Sequence, residues 1–399
     1  MAKPIGPLCN LDCTYCFYLE KEKLFGVHER FAMPDRVLEE FIRQTIENEA
    51  GPEVRFAWQG GEPTLLGVGY FQKVVDFQAK YAQGKVIQNA MQTNGTLLDD
   101  SWGEFLQKYS FLVGVSIDGP RGLHDLYRVD KKQQPTFDRV MAGIDVLKNH
   151  RVEFNTLTVV NRANSRHPGE VYRFLKEIGS TYLQFIPLVE RLADEAGLAR
   201  PPHLATGAGG FAPVTEWSVG AADYGSFLIR IFEDWVRNDV GKIFVQTFDV
   251  ALGNWMGHGS SLCIFAEKCG SAVALEHNGD LFSCDHYVYP KYHLGNLLNQ
   301  SLGEMVNSPA QHAFGSQKSD ALPDYCRKCD VRFACNGECP KNRFLETPDG
   351  QPRLNYLCPA YMAFFKSIDP CMKMMARLLN ARRPASDIMA LLVERDRRR

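Results

Sequence analysis

Residues 9–16 read Cys-Asn-Leu-Asp-Cys-Thr-Tyr-Cys and place three thiols, those of Cys9, Cys13 and Cys16, on one short segment, which we call the three-thiol loop. The spacing is too compact for a structural zinc site, which usually takes four ligands in two pairs. Three thiolates can instead hold three irons of a four-iron cube and leave the fourth iron open. A small zinc knuckle is the structural alternative. The loop therefore predicts a metal centre, with an open position if the metal is iron.

The chain between Cys16 and Cys263 lacks cysteine and alternates short β-rich runs with amphipathic stretches. Such alternation predicts βα units joined into a parallel sheet. A short strand leads into Cys9, and the other predicted strands are 54–58, 86–91, 111–117, 154–160 and 182–187. The predicted helices are 34–48, 70–81, 99–109, 137–150, 168–178 and 222–238. The expected fold class is α/β, with a partial (β/α)6 barrel of the TIM type.

Polar residues and glycines follow the ends of these strands. In parallel α/β folds, the loops at the carboxyl ends of the strands build one shared site. The residues placed there are Gln59, Gly60, Gly61, Glu62, Thr93, Asn94, Ser116, Leu188 and Val189. We expect Gly60 and Gly61 to let backbone approach a bound cofactor, because no Cβ stands in the way. Turn formation is the structural alternative for each loop taken alone.

A second group of cysteines begins at Cys263. Eight of its members suit two sets of four thiolates: Cys263, Cys269, Cys284, Cys326, Cys329, Cys335, Cys339 and Cys358. Two zinc ribbons and two four-iron clusters are equally compatible with eight thiolates, so the spacing does not choose between the metals. Cys371 is left over, and its Met-rich apolar surroundings predict a buried free thiol.

Composition and charge narrow the class of protein. The 399 residues include 45 basic and 47 acidic side chains, and the net charge of −2 gives no electrostatic footprint for nucleic acid or an anionic membrane. No apolar run approaches the roughly 18 residues of a membrane span, and nothing before Cys9 resembles a secretory signal. We therefore expect a cytoplasmic protein whose clustered thiols bind metal or act in catalysis.

The length suits two or three domains of ordinary size. We expect residues 1–235 to form the barrel, including an Ala-, Gly- and Pro-rich stretch at 190–220 that resembles a linker. Residues 236–399 are expected to form a cysteine-rich domain with C-terminal helices.

Several motifs taken together resemble a known family. They are Lys3-Pro4, the segment 9–18, Gly60-Gly61-Glu62-Pro63, the segment 127–130 and Cys284-Asp285. The pattern is similar to that of the anaerobic sulfatase-maturating enzymes, which belong to the SPASM subfamily of the radical S-adenosylmethionine superfamily. Those oxidoreductases convert a cysteine or serine of a sulfatase to Cα-formylglycine.

The resemblance implies S-adenosylmethionine and three [4Fe–4S] clusters as cofactors. The three-thiol loop would hold the first cluster, whose open iron chelates the methionine moiety. Tyr18 would cover the cluster or the adenine, and Ser116 and Arg128 would reach the ribose and the carboxylate. The other strand-end residues named above would complete the cofactor site.

The resemblance also divides the C-terminal cysteines into two interleaved ligand sets. The first auxiliary cluster would be held by Cys263, Cys269, Cys284 and Cys339. The second would be held by Cys326, Cys329, Cys335 and Cys358. Because protein ligates every iron in these sets, electron transfer is favoured over substrate coordination.

In that family, one electron from the first cluster cleaves S-adenosylmethionine and generates a 5′-deoxyadenosyl radical. The radical takes a hydrogen atom from the substrate Cβ, and Asp285 would remove the thiol or hydroxyl proton as a general base. The auxiliary clusters would accept the remaining electron. We expect the neighbouring cluster thiolate to raise the pKa of Asp285.

The implied partners are a sulfatase segment with a Cys-x-Pro-x-Arg or serine-type motif, and a flavodoxin or ferredoxin as electron donor. A monomer is the default expectation. One alternative is a SPASM maturase that makes a thioether or another cross-link in a ribosomal peptide, and Asp285 after Cys284 argues for sulfatase maturation instead. The other is a non-catalytic iron–sulfur regulator, which the neutral charge and the lack of a visible helix-turn-helix pattern disfavour.

Overall fold

The computed structural model describes residues 1–26, 31–192 and 214–397. The chain divides into two compact units. The first contains Met1–Ile117, His124–Asn155 and Gly270–Gly315, and the second contains Asp118–Leu123, Thr156–Cys269 and Ser316–Arg399. Most of the linker-like stretch expected at 190–220 lies outside the described residues, and the domain boundary expected after residue 235 stays a prediction.

The strands of each unit form their own pairings. In chain order the strands are β1 (Ala2–Lys3), β2 (Glu53–Trp58), β3 (Val86–Thr93), β4 (Leu112–Ser116), β5 (Phe154–Val160), β6 (Tyr182–Pro187), β7 (Phe244–Val245), β8 (Ala274–Glu276), β9 (Asp280–Phe282), β10 (His293–Asn296), β11 (Leu345–Glu346) and β12 (Pro352–Leu354). In the first unit the order is β10-β9-β8-β1-β2-β3-β4. The run from β8 to β4 is parallel, and β9 and β10 add antiparallel neighbours. In the second unit β5, β6 and β7 pair in parallel, and β11 pairs with β12.

Helices lie between successive strands from β1 to β7, as βα units require, and further helices follow toward the C-terminus. In chain order they are α1 (Asp35–Asn48), α2 (Gly67–Tyr81), α3 (Asp100–Lys108), α4 (Arg121–His124), α5 (Phe137–Asn149), α6 (Pro168–Glu177), α7 (Ala221–Asn238), α8 (Gln246–Trp255), α9 (Leu302–Val306), α10 (Pro309–Asp320), α11 (Asp324–Arg327), α12 (Arg332–Cys335), α13 (Cys358–Asn380) and α14 (Ile388–Arg397). Helix α1 illustrates the amphipathic pattern of these helices. Its apolar residues recur every three or four positions and lie on one buried stripe. Leu38, Phe41 and Ile42 belong to that stripe.

The periodicity predicted most elements of the barrel. The strands expected at 154–160 and 182–187 occur with those bounds as β5 and β6, and the other expected strands and helices differ from the structure by at most three residues at an end. The pairing of β8, β9 and β10 beside β1 was not expected, because strands of three or four residues carry too little alternation to be recognised. In the described part of the chain, no helix is both long enough and apolar enough to cross a bilayer.

Candidate functional site

Backbone hydrogen bonds anchor the three-thiol loop in the first unit. The N–H of Asp12 donates to the carbonyl of Val129 at 2.9 Å, and the N–H of Thr14 donates to the carbonyl of Tyr127 at 3.0 Å. The segment 127–130, one of the motifs that resemble the family, is therefore the structural partner of the loop.

Gly61 allows the loop after β2 to touch the backbone that leads into the first thiol. Its N–H donates to the carbonyl of Gly6 at 2.7 Å, and the N–H of Glu62 donates to the carbonyl of Leu8 at 2.9 Å. A Cβ on Gly61 would lie 1.9 Å from the Leu8 oxygen. We expected glycine here for the approach of a cofactor. In the structure, the atoms that exclude a side chain are those of the protein's own backbone.

Glu62 is fully buried and binds the loop after β3. Its Oε1 accepts from the hydroxyl of Thr93 at 2.7 Å, and its Oε2 accepts from the N–H of Asn94 at 2.7 Å. Burial raises the pKa of Glu62, and these hydrogen bonds oppose the increase. The Asn94 amide in turn donates to Sγ of Cys9 at 3.7 Å. Three residues predicted to bind the cofactor are thus connected to one thiol of the loop.

Asp285 follows Cys284 and keeps 21% of its side chain exposed. Its Oδ1 lies 2.5 Å from the ammonium of Lys3, and Gln59 donates to its Oδ2 at 3.4 Å. Burial alone would raise the pKa of Asp285, but the charges of Lys3 and His286 outweigh it and lower the pKa below its usual value. The raised pKa that we expected is therefore wrong, because the sequence pattern revealed the neighbouring thiol and not the cation.

Tyr18 is buried beside the same lysine. Its hydroxyl donates to the fully buried carboxylate of Glu276, and Nζ of Lys3 lies 3.7 Å from the centre of its ring. The ring belongs to a buried apolar cluster with Phe282 and Val288. Burial, and then the negative charge of Glu276, raise the pKa of Tyr18 well above its usual value. Contact of Tyr18 with the cluster or the adenine stays a prediction.

Lys3 and Glu276 were not among the predicted site residues. Each ends a short apolar run, and each is at most 2% exposed. A charged residue in such a run signals a buried partner, because an unpaired charge in a protein interior is costly. That signal was present, but it does not say which residue the partner is.

The remaining predicted cofactor residues lie in both units. In the first unit, Ser116 is half-buried at the end of β4. Arg128 is 6% exposed, and its guanidinium carbon lies 5.6 Å from the ring centre of Tyr15. In the second unit, Leu188 and Val189 are buried directly after β6. Their roles in binding a cofactor stay predictions.

One cavity of the second unit is lined by the whole predicted second ligand set, Cys326, Cys329, Cys335 and Cys358. Burial raises the pKa of Cys335 and of Cys358 to about 12. Among the described residues, no three His, Cys, Asp or Glu side chains converge where one metal ion could bind. Four cysteine thiols on one cavity match the donor set of a four-iron cluster, in which each thiolate binds one iron.

The other predicted ligand set includes residues of both units. Cys263, Cys269 and Cys339 belong to the second unit, and Cys284 belongs to the first. Their grouping stays a prediction from the sequence. Cys371, which we expected to be buried, is only half-buried in α13, and burial raises its pKa.

Comparison with known proteins defines the class of protein. The family model described as the Radical SAM superfamily matches residues 4–175, and the SPASM model, described as an iron-sulfur cluster-binding domain, matches residues 263–330. These matches confirm the expected fold class, a radical SAM barrel followed by a SPASM domain.

Similar proteins narrow the class further. A serine-type anaerobic sulfatase-maturating enzyme of Bacteroides thetaiotaomicron is 47% identical over 98% of this chain and 94% of its own length. A cysteine-type anaerobic sulfatase-maturating enzyme of Clostridium perfringens is 34% identical over 93% of this chain and 96% of its own. The solved structure of native anSMEcpe with bound AdoMet and Cp18Cys peptide aligns with a TM-score of 0.82 at 33% identity, covering 95% of this chain and 98% of that one. The chain belongs to the family of anaerobic sulfatase-maturating enzymes.

Replacing Gly61 by Ala should separate the two loops that it joins. The new Cβ would collide with the Leu8 carbonyl, and forced backbone shifts of this kind cost roughly 1–3 kcal/mol. We expect a lower urea midpoint and a loss of iron from the three-thiol loop. Gly69→Ala is the matched control, since nothing lies within 4 Å of its Cβ position. Equal effects of the two substitutions would contradict the close-contact explanation.

Replacing Lys3 by Met should destabilise the first unit by leaving the Asp285 carboxylate without its cation. Breaking a fully buried pair costs about 3–5 kcal/mol, and the partial exposure of Asp285 reduces our expectation to about 1–3 kcal/mol. The control is Lys73→Met, which breaks the exposed pair with Asp35 at 2.8 Å and should cost less than about 1 kcal/mol. Urea titration of both variants measures the loss in free energy of unfolding. Equal losses would show that burial does not strengthen the Lys3–Asp285 pair.

Proposed function

We propose that this protein is a radical S-adenosylmethionine dehydrogenase that oxidises one side chain of a sulfatase peptide to Cα-formylglycine. The observation that carries the proposal is the placement of Asp285. It is partly exposed, and it is held by Lys3 of β1, the strand that leads into the three-thiol loop. The same short segment thereby carries the proposed ligands of the first cluster and holds the proposed proton acceptor.

Cys9, Cys13 and Cys16 would hold the first cluster, and S-adenosylmethionine would bind at its open iron. When bound, these groups supply the one-electron chemistry that removes a hydrogen atom from the target Cβ. The network from Glu62 through Asn94 to Cys9 orients the loops around this site. The predicted contacts to S-adenosylmethionine are Tyr18, Gln59, Gly60, Gly61, Glu62, Thr93, Asn94, Ser116, Arg128, Leu188 and Val189.

Asp285 would accept the proton of the target hydroxyl or thiol at Oδ2. Its Oδ1 is occupied by Lys3 at 2.5 Å, whereas Oδ2 accepts from Gln59 at the longer distance of 3.4 Å. The lowered pKa keeps the carboxylate ionised at neutral pH. Proton transfer to a positioned carboxylate contributes about 10²–10⁴ to a rate.

The two predicted sets of four cysteines would hold the auxiliary clusters, which would supply an acceptor for the second electron of the target. Four thiols line one cavity for the second of these clusters. A cluster ligated by four cysteines has no open iron for substrate, so its chemistry is electron transfer. We infer an anaerobic, cytoplasmic enzyme, monomeric, that receives its electrons from a flavodoxin or ferredoxin.

Serine is the favoured target residue. The serine-type relative is 47% identical to this chain, whereas the cysteine-type relative is 34% identical. The cross-linking alternative is not favoured, because both relatives extend over more than nine-tenths of the chain and both are sulfatase-maturating enzymes.

Incubation with matched sulfatase peptides tests the activity and the target. We expect the reconstituted enzyme, S-adenosylmethionine and a reductant to convert a serine-type peptide to the aldehyde faster than the same peptide with cysteine at the target position. Mass spectrometry after hydrazine labelling distinguishes the aldehyde from a cross-link. A thioether product, or no change in either peptide, would overturn the proposal.

Replacing Asp285 by Asn should reduce formylglycine formation by about 10²–10⁴ while cleavage of S-adenosylmethionine continues. The matched control is Asp280→Asn, because Asp280 has a similar exposed fraction, 26%, but pairs with His293 instead of Lys3. Peptide oxidation and 5′-deoxyadenosine are measured in the same reaction. Retained peptide oxidation in the Asp285 variant would remove it from the mechanism.

Iron content tests the ligand sets without a substrate. We expect about 12 irons per chain from three four-iron clusters. Replacing Cys9, Cys13 and Cys16 together by Ala should remove about a third of the iron and all cleavage of S-adenosylmethionine. Cys371→Ala is the control and should leave iron content unchanged. Stoichiometric zinc without visible absorbance would contradict the cluster assignment.

A further inference from the structure

A short loop of the second unit connects the two predicted auxiliary ligand sets. Cys335 of one set and Cys339 of the other lie at its ends. The residues between them, Asn336, Gly337 and Glu338, have φ values of 45°, 70° and 51°. Left-handed conformations at non-glycine residues are costly and persist only where the surroundings hold them.

Arg343 supplies the groups that hold this loop. Its guanidinium donates to the carbonyls of Gly337 at 2.8 Å, Asn336 at 2.9 Å and Glu338 at 3.0 Å. A further N–H donates to the carbonyl of Lys318 at 2.6 Å. Arg343 is only 9% exposed, so a permanent positive charge lies buried beside the loop that joins the two sets.

Lys318 places a second buried cation near the first ligand set. It is fully buried, and its ammonium donates to the carbonyls of Cys263 at 2.6 Å and Ile264 at 2.8 Å. Its ammonium also interacts electrostatically with Cys269 and Cys339, two thiols of that set.

The buried carboxylate of Glu338 interacts electrostatically with both cations. It is 2% exposed and accepts hydrogen bonds from the side-chain amides of Asn355 and Asn342. Two cations therefore face one carboxylate in a region where water does not screen their charges.

Buried positive charge favours the state of a cluster that carries one more electron, because interactions between charges are strongest in a low dielectric. Net charge, hydrogen bonding and solvent exposure are the protein's means of setting the potential of an iron–sulfur cluster. Neither Lys318 nor Arg343 is a predicted ligand of a cluster, and neither has a role in the mechanism above.

We propose that Lys318 and Arg343 raise the reduction potentials of the auxiliary clusters and so make them acceptors for the electron released by the substrate. This inference rests on the proposed function. After hydrogen abstraction, the target proton goes to Asp285, the Cβ radical loses one electron to form the C=O or C=S bond, and an auxiliary cluster gains that electron. Both residues act through the clusters, without contact to the substrate.

The test is an EPR-monitored redox titration of the reconstituted holoenzyme. Signals of the first cluster are identified because they change when S-adenosylmethionine is added. We expect Lys318→Gln to shift an auxiliary potential to a more negative value. Lys328→Gln is the matched control, because Lys328 lies between two ligands in sequence but is exposed, and screening by water should leave the potentials unchanged.

Two substitutions of Arg343 distinguish the effect of its charge from the effect of its hydrogen bonds. Arg343→Gln should shift the auxiliary potentials to more negative values, and Arg343→Lys should retain potentials close to those of the unmodified protein because it keeps the charge. Equal shifts in these two variants would show that Arg343 only positions the loop, and would overturn its part of the proposal. If Lys318→Gln and Arg343→Gln both lose iron, the two residues have a structural role, and the proposal is overturned.

The potentials also distinguish this inference from the proposed function. If peptide oxidation fails while the potentials shift as expected, the substrate assignment is wrong and the tuning role remains. If peptides are oxidised and the potentials of both Gln variants are unchanged, the tuning role is wrong and the enzyme assignment remains.

Discussion

The buried ammonium of Lys3 is the charge on which the site of the first unit depends. A cation that is 2% exposed must be paired, because leaving it alone in the interior costs several kcal/mol. Its partners are the carboxylate of Asp285 at 2.5 Å and the ring of Tyr18 at 3.7 Å. Since β1 pairs with β2 on one side and β8 on the other, the sheet determines where this carboxylate stands.

Contacts between backbones connect the loops of the same site. The hydrogen bonds made by Gly61 and Glu62 leave no room for a side chain at Gly61, and the buried Glu62 connects this loop to the one after β3. Side chains can repack after a substitution, whereas backbone held at this distance has fewer ways to adjust. This end of the sheet is therefore more rigid than a set of surface loops would be.

Local patterns in the sequence predicted β5 and β6 with their observed bounds, and the family resemblance grouped the four cysteines that line one cavity. The same patterns did not reveal the partner of Lys3 or of Tyr18, whose hydroxyl binds a residue 258 positions away. Periodicity and spacing describe neighbours along the chain, and they carry no information on such distant pairs. For this reason the expected direction of the Asp285 pKa shift was wrong.

The loop between Cys335 and Cys339 would link the assembly of the two proposed auxiliary centres. Its left-handed backbone, held by Arg343, sets the separation of these two cysteines, one from each predicted ligand set. Iron bound at one end would therefore order the thiol at the other end. The loop would lose conformational entropy when the first centre forms, and it would not lose it again for the second. Maturation of this enzyme would then favour chains with both centres filled over chains in which one is empty.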